Sequence, residues 1–322
     1  VLEAGVELYT NTVVSACQMA DGRVTHVLIE SKDGLQALAA GTVIDATGDG
    51  LVCRRAGMPM QVSAGGMQPM SLCFLLRNVD VTTALLRDHI HHTGLHGQSK
   101  HMGIYHALQK LAEQGEDVPQ FGGPWFNSTM QEDLICVNIT RAAANAADRA
   151  QLTQAECRMR EDAYKLVALL RKLYPEFAKA SIAEIAAQGG VRETYHIRGL
   201  YTLSGADILG GAPCADGVAF CSHPVDIHSA QDNTQTAQYF DTPCPVPYRV
   251  MVAAGFDNLI AAGRCVSCVD EAYASMRVQG TCMAIGEAAG VAAAMRRETG
   301  CAVTAVNTDD LRARLQKQGA IV

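Results

Sequence analysis

Between residues 275 and 295 the chain reads SMRVQGTCMAIGEAAGVAAAM, a loop opening into a helix almost without bulky side chains. Gly286, Ala288, Ala289, Gly290, Ala292, Ala293 and Ala294 let a neighbouring helix or strand pack very closely. Gly280 and Thr281 are expected to precede the helix, so that free N–H groups near Cys282 and Met283 point out of its positive end. An anion or a polarised carbonyl would be stabilised there. Taken alone, the stretch is equally well a plain buried small-residue helix. Such a helix usually accompanies a nucleotide cofactor, yet nowhere does the chain contain the G-x-G-x-x-G of a dinucleotide-binding strand, turn and helix.

Bulk properties narrow the field. The 322 residues suffice for one large domain or two ordinary ones, and 48% hydrophobic against 18% charged residues describes a well-buried globular protein. The net charge of -7 and the lack of any basic run exclude the electrostatic footprint of a nucleic-acid binder, so a small molecule is the expected partner. Glu287 and the glycines interrupt the most apolar C-terminal segment, which leaves no membrane span. Twelve cysteines scattered among apolar neighbours suit buried thiols in a reducing, cytoplasmic setting. The opening VLEAGVELYTNTVVSA starts on Val1 and reads as if from mid-helix into strands, so an N-terminal truncation is expected.

Along the chain, VELYTNTVVSACQMA and RVTHVLIES are β-branched runs joined through Asp21-Gly22, a strong hairpin-turn signal. AGTVIDATG is a further strand, ending at Asp45–Gly50, where glycines and short polar residues let backbone approach a ligand. SLCFLLR (71–77) and LICVNIT (134–140) are apolar strand candidates around a His-rich and Gly-rich stretch. Thr153 with Glu156, and Ser181 with Glu184, fit the capping box and predict helices running toward Tyr174 and Gln188. VRETYHIRGLYTL, VAFCSHPVDIH and DNLIAAGR follow as strands or extended connections, and TDDLRARLQKQG predicts a capped terminal helix.

The run YRVMVAAGFDNLIAAGRCVSCVDEAYASMRVQGTCMAIGEAAGVAAA (248–294), with VIDATGDG (43–50), GGVRETYHIRGLYTL (189–203) and HPVDIH (223–228), resembles the FAD-dependent oxidoreductase family. The family is distantly related to fumarate-reductase-like and glutathione-reductase-like flavoproteins. The resemblance implies an α/β fold: a Rossmann-like FAD/NAD(P)-binding domain, here partial because the N-terminal βαβ is missing, with an inserted α+β substrate domain. The expected spans are 1–50 for part of the FAD-binding domain with its hairpin layer, 51–250 for the substrate domain, and 251–322 for the rest of the FAD-binding domain.

The same resemblance implies FAD as cofactor, with Val13 in the strand facing the adenine. It places Ala46, Thr47, Gly48 and Asp49 on the phosphate-ribityl side, Gly263 and Arg264 beside the ribityl chain, and Gly280, Thr281, Cys282 and Met283 beside the pyrimidine ring. Arg277 is the first catalytic candidate, because its guanidinium fork suits a carboxylate or oxyanion; a salt bridge to Glu271 or Asp270 is its structural alternative. Arg192, Arg198 and His228 are the other candidates, with His228 suited to general acid–base work. The expected function is hydride transfer between flavin N5 and a small polar substrate, in a chain that alone is expected to be inactive and whose homo-oligomerisation is left open.

Two alternatives accompany it: a non-catalytic flavin-fold binding module, and a thiol-disulfide flavoenzyme using Cys265 and Cys268 of the C-x-x-C. Six of the ten histidines lie between His89 and His106. No familiar ligand spacing completes a metal site among them, so a polar surface loop is expected.

Overall fold

The structure is a computed structural model that describes residues 1–83, 85–86, 101–210 and 214–322. His89, His91, His92 and His96 of the histidine-rich stretch lie outside these residues. From the N-terminus run strands β1 (Val13–Ala20), β2 (Arg23–Ser31), β3 (Gly34–Ala39) and β4 (Val43–Asp45), then helix α1 (Leu51–Arg55) and strands β5 (Met60–Gln61) and β6 (Phe74–Arg77). Helix α2 (Met102–Glu113), strands β7 (Phe121–Ser128) and β8 (Leu134–Thr140), helix α3 (Arg149–Leu173) and strands β9 (Ser181–Ile185) and β10 (His196–Ile197) follow. The chain continues through α4 (Gly205–Gly210), β11 (Gly217–Cys221), β12 (Val225–His228), β13 (Gln235–Gln238), β14 (Cys244–Pro247) and β15 (Leu259–Ala261). It ends in α5 (Asp270–Met276), α6 (Gln279–Thr299) and α7 (Thr308–Lys317).

These elements form two compact units. The first comprises Val1–Gly65, Tyr195–Asp226 and Ala237–Val322; the second comprises Gly66–Thr194 and Ile227–Thr236. Against the spans expected from sequence, 1–50, 51–250 and 251–322, residues 51–65, 195–226 and 237–250 group with the first unit.

In the first unit, Asp21 (φ 46°) and Gly22 (φ 74°) give the β1–β2 hairpin a turn with two left-handed residues, which matches the right-handed twist of the strands. The parallel pair β4–β15 aligns Val43 with Leu259 and Asp45 with Ala261, so both strands release their carboxyl ends at the same edge. Under this edge lies a core of Val24, Val52, Cys53, Ile197, Leu259 and Cys265.

The second unit is built on a four-stranded sheet in the order β7-β8-β6-β9. LICVNIT is strand β8, and its alternation sends Ile135, Val137 and Ile139 into a core with Phe74, Leu76 and Phe126. Leu108 of α2 and Leu166 and Leu170 of α3 cover that face. Cys136 and Asn138, the intervening residues of β8, point to the opposite face together with Trp125 and Asn127 of β7.

Two helix starts differ from the sequence reading. Helix α3 begins at Arg149, capped by Asp148, whose side chain accepts from the N–H groups of Ala150 and Gln151. Thr153 instead turns its hydroxyl back to Arg149 O, and Glu156 accepts the Gly189 N–H. Ser181–Ile185 is strand β9 and not a helix, because pairing to β6 (Arg77 with Ser181, Leu75 with Glu184) outweighs a local capping pattern. The terminal helix α7 is capped as expected, by Asn307 accepting from Asp309 and Asp310.

Candidate functional site

In the first unit the loop after β4 is organised by Asp45, whose side chain is fully buried. One carboxylate oxygen accepts from Thr47 N and Thr47 Oγ1, at 3.1 and 2.7 Å, and the other accepts from Cys53 N at 2.8 Å. Three hydrogen bonds to one carboxylate hold the 46–50 loop against the start of α1, so Ala46, Thr47, Gly48 and Asp49 are presented in one conformation. Gly48 sits at φ 78°, and a Cβ there would run into the Arg264 guanidinium. That guanidinium reaches Asp49 at 3.5 Å. The loops following the two parallel strands therefore meet through Arg264 and Asp49, as expected at the carboxyl end of such a pair.

Helix α6 packs beside the Gly263–Cys265 turn and β4. It begins at Gln279, three residues earlier than the sequence suggests, with Val278 as N-cap. The Cys282 N–H is consequently used within the helix, donating to Val278 O, and the N–H groups without helical acceptors belong to Gln279, Gly280 and Thr281. Gly280, Gly286 and Gly290 have open space where a Cβ would stand, and Met283 is 74% exposed. Burial pushes the Cys282 thiol up, against the nearby Arg264 charge. Val13 is exposed at the start of β1.

The four catalytic candidates are not brought together. Arg277 pairs with Asp226 at 2.8 Å and also donates to its carbonyl at 3.1 Å, so neither Glu271 nor Asp270 is its partner. Its Nε is buried with no hydrogen-bond partner among the described residues. Arg198 is exposed, with Nε donating to Met60 O at 3.3 Å. Arg192 and His228 belong to the second unit.

There they join Arg141, which sequence reasoning missed. Arg141 follows β8 directly and is only 2% exposed. Its Nη1 donates to Ser71 Oγ, to Asn138 Oδ1 at 3.2 Å and to Thr140 O at 2.8 Å, while Nη2 lies 3.3 Å from His228 Nδ1. A guanidinium can only donate, so Nδ1 accepts and the imidazole proton sits on Nε2. Arg141 also lies over the Trp125 ring at 5.2 Å, and that ring meets His228 edge-on at 5.9 Å. Gly122 makes this placement feasible, since a Cβ at 122 would occupy the guanidinium's position. Arg192 Nη1 donates to the same Ser71 Oγ at 2.8 Å and to Pro69 O at 2.6 Å. Gln68 links His228 N to the Glu193 carboxylate. The polar sheet face thus carries two guanidinium groups on one serine, with a neutral imidazole and an indole beside them. An arginine ending an alternating strand, LICVNITR, was the available signal.

Cys265 and Cys268 are both buried, and neither is in a disulfide among the described residues. Burial pushes Cys265 up to about 12, which leaves it almost without thiolate near neutral pH. Of the histidine-rich stretch, His101 caps α2 by accepting from Ile104 N, and His106 faces Gln109. Among the described residues no cluster of His, Cys, Asp or Glu gathers in a metal-binding arrangement, and no helix is long and apolar enough to cross a membrane.

The model of the FAD dependent oxidoreductase family matches residues 1–315, so the chain belongs to that family. Its cofactor is FAD, and its mixed α/β architecture is that of a Rossmann-like FAD-binding fold with an additional domain. No curated protein matches the chain. Among solved structures it is similar to a triple mutant of the flavin-dependent brominase Bmp2, with 12% identity and a TM-score of 0.44, over 98% of this chain and 57% of that one. It is also similar to a geranylgeranyl bacteriochlorophyll reductase-like protein (Ta0516) from Thermoplasma acidophilum, with 13% identity and a TM-score of 0.42, over 99% of this chain and 56% of that one. The chain thus spans a little over half the length of the structures it matches.

The first unit's residues fit that cofactor on structural grounds. A glycine whose Cβ would collide with Arg264, open glycines along α6 and unfilled N–H donors in its first turn are what a flat ligand with electron-rich edges requires.

Proposed function

We propose that the protein takes part in hydride transfer between flavin N5 and a small polar substrate bearing an anionic group. The observation that carries this reading is the convergence of Arg141 and Arg192 on Ser71, with His228 alongside. Two fixed guanidinium groups on a polar sheet face suit a carboxylate or oxyanion, and each charge-assisted hydrogen bond they form contributes roughly 1.5–3 kcal/mol. FAD, when bound, supplies the hydride donor or acceptor.

The remaining roles belong to the chain's own groups. The Ala46–Asp49 loop, Gly263, Arg264 and the first turn of α6 are the cofactor contacts, with the helix N-terminus stabilising negative charge near the pyrimidine ring. Arg192 and Arg141 orient the substrate anion. His228 holds a proton on Nε2, where it can be given to or taken from a substrate oxygen. Arg277 is a positioning residue that holds Asp226 within the first unit.

The full protein, purified in reducing buffer and supplied with FAD, tests the reading under anaerobic conditions with carboxylate-bearing and sugar-like compounds. Bleaching of the flavin absorbance by one of them is expected. Failure to retain FAD, even on refolding, would remove the cofactor assignments. Bound FAD that stays oxidised with every compound would favour a non-catalytic binding module instead.

A further inference from the structure

The Ser71 hydroxyl that receives both guanidinium groups still has its own hydrogen to place. Ser71 lies just before β6 and is only 5% exposed. Its backbone is fixed by an antiparallel bridge to Gly190, with the Ser71 N–H donating to Gly190 O at 3.2 Å and Gly190 N donating to Ser71 O at 2.6 Å. The side-chain Oγ accepts from Arg141 Nη1 and, at 2.8 Å, from Arg192 Nη1. A guanidinium has no acceptor, so neither contact can run the other way. A hydroxyl oxygen carries two lone pairs, and the two N–H donors occupy both. With the bond to Cβ, three corners of the tetrahedron about Oγ are taken, and the O–H points along the fourth. Among the described residues no acceptor meets it, for the two guanidinium contacts are the only hydrogen bonds of this oxygen. A buried O–H without a partner is costly, and a site that keeps one calls for an explanation.

We infer that the Ser71 hydroxyl is itself a substrate-binding donor, and that it selects a group able only to accept hydrogen bonds. In the proposed reaction that group is the substrate's carboxylate, one oxygen of which takes the Ser71 O–H beside the charges of Arg141 and Arg192. The inference rests on the anion-binding reading above and narrows it to a residue and an ionisation state. Two donated N–H groups polarise Oγ and strengthen its O–H as a donor. Two cations meeting at one oxygen also repel each other, and an anion at the fourth corner offsets that repulsion. His228, with its proton on Nε2, adds another donor nearby. A carboxylate suits a place where the protein groups donate, whereas an amide brings hydrogens of its own and leaves a donor unmatched.

The test uses the whole chain with FAD bound, and as probes oxalate and its uncharged isostere oxamide, near neutral pH at constant ionic strength. Calorimetry reads the affinity. The fluorescence of Trp125, the chain's one tryptophan, reads the location, because Arg141 lies over its ring at 5.2 Å. Oxalate is expected to bind with a saturable Trp125 signal, and oxamide at least about tenfold more weakly. Ser71→Ala should lose about tenfold in oxalate affinity, as for one hydrogen bond to a charged group, while Ser71→Thr, which keeps both acceptor and donor, should stay near the wild-type value. If Ser71→Ala does not fold, Ser71→Cys serves in its place, since its sulfur still accepts but its S–H donates weakly. The proposal is overturned by a wild type that does not bind oxalate or binds oxamide as tightly. It is equally overturned by Ser71→Ala at the wild-type affinity, or by Ser71→Thr no better than Ser71→Ala. None of these readouts uses flavin chemistry, so an unbleached flavin beside the expected oxalate selectivity would remove the hydride-transfer reading alone.

Discussion

In the first unit, the groups assigned to the cofactor come from three short runs, Ala46–Asp49, Gly263–Arg264 and the first turn of α6, and apart from the Arg264 guanidinium they are mostly backbone and small side chains. In the second unit, the groups assigned to the substrate are long side chains gathered across great separations. Ser71 and Arg192 are 121 residues apart, and Arg141 and His228 are 87 apart. A cofactor of fixed shape can be met by backbone geometry, which a contiguous motif encodes. An anion is met by guanidinium groups, and these need only the right fold beneath them. The first kind of site can be read as a string, whereas the second exists only once the strands are paired.

If this contrast is real, side-chain removal in the second unit should cost turnover or stability while leaving cofactor retention alone, and backbone strain in the first unit should do the reverse. The largest effect is expected from Arg277→Ala, an exception that lies in the first unit and removes the ion pair to Asp226. Turnover should fall about a hundredfold, as for other misplacements of reacting groups, with flavin content nearly intact. Loss of FAD instead would make Arg277 a cofactor residue.

Arg141→Met comes next. It removes a buried guanidinium with its hydrogen bonds to Ser71, Asn138 and His228, so denaturant unfolding should show a loss of about 2–3 kcal/mol. An unchanged midpoint would mean that the cluster contributes nothing net. Gly48→Val should lower FAD retention about tenfold, because a β-branched residue at φ 78° costs roughly 1–3 kcal/mol and displaces Arg264. Normal retention would show that this loop does not shape the cofactor contact.

The smallest effect concerns acid stability of the first unit. Burial alone would raise Asp207, but hydrogen bonds from Ser204 and Tyr201 outweigh it and hold the carboxyl below its usual 3.8. A depressed carboxylate contributes stability that is present above 3.8 and lost as pH falls through the lower folded value. Asp207→Asn should therefore be slightly less stable than wild type at pH 7, with the difference shrinking below about pH 4 in melting scans. A difference that persists unchanged in acid would assign the effect to packing.

What could be read from sequence follows the same division. LICVNIT declared a strand, and Asp21-Gly22 a hairpin, because alternation and turn chemistry are local. Ser181 and Glu184 misled because pairing with β6 is not local. The small-residue helix was legible as a helix, but its start was misplaced: Val278 caps it by backbone alone, with no side-chain hydrogen bond to mark the position. Arg192 and His228 stood out as charge and imidazole in segments built for burial. Arg141 did not, because nothing in LICVNITR says that Gly122 lies opposite and leaves room for a guanidinium. Asp45 was passed over for the same reason, its three hydrogen bonds being visible only when α1 folds back over the loop.

The division of labour between the two units is tested most directly by Arg192→Gln. FAD content and anaerobic flavin bleaching should be measured on one preparation, using a compound that bleaches the wild type. Full FAD occupancy with bleaching slowed at least about tenfold is expected, the cost of one lost charge-assisted contact. Loss of FAD, or bleaching at the wild-type rate, would contradict the assignment of the anion site to the second unit's sheet face.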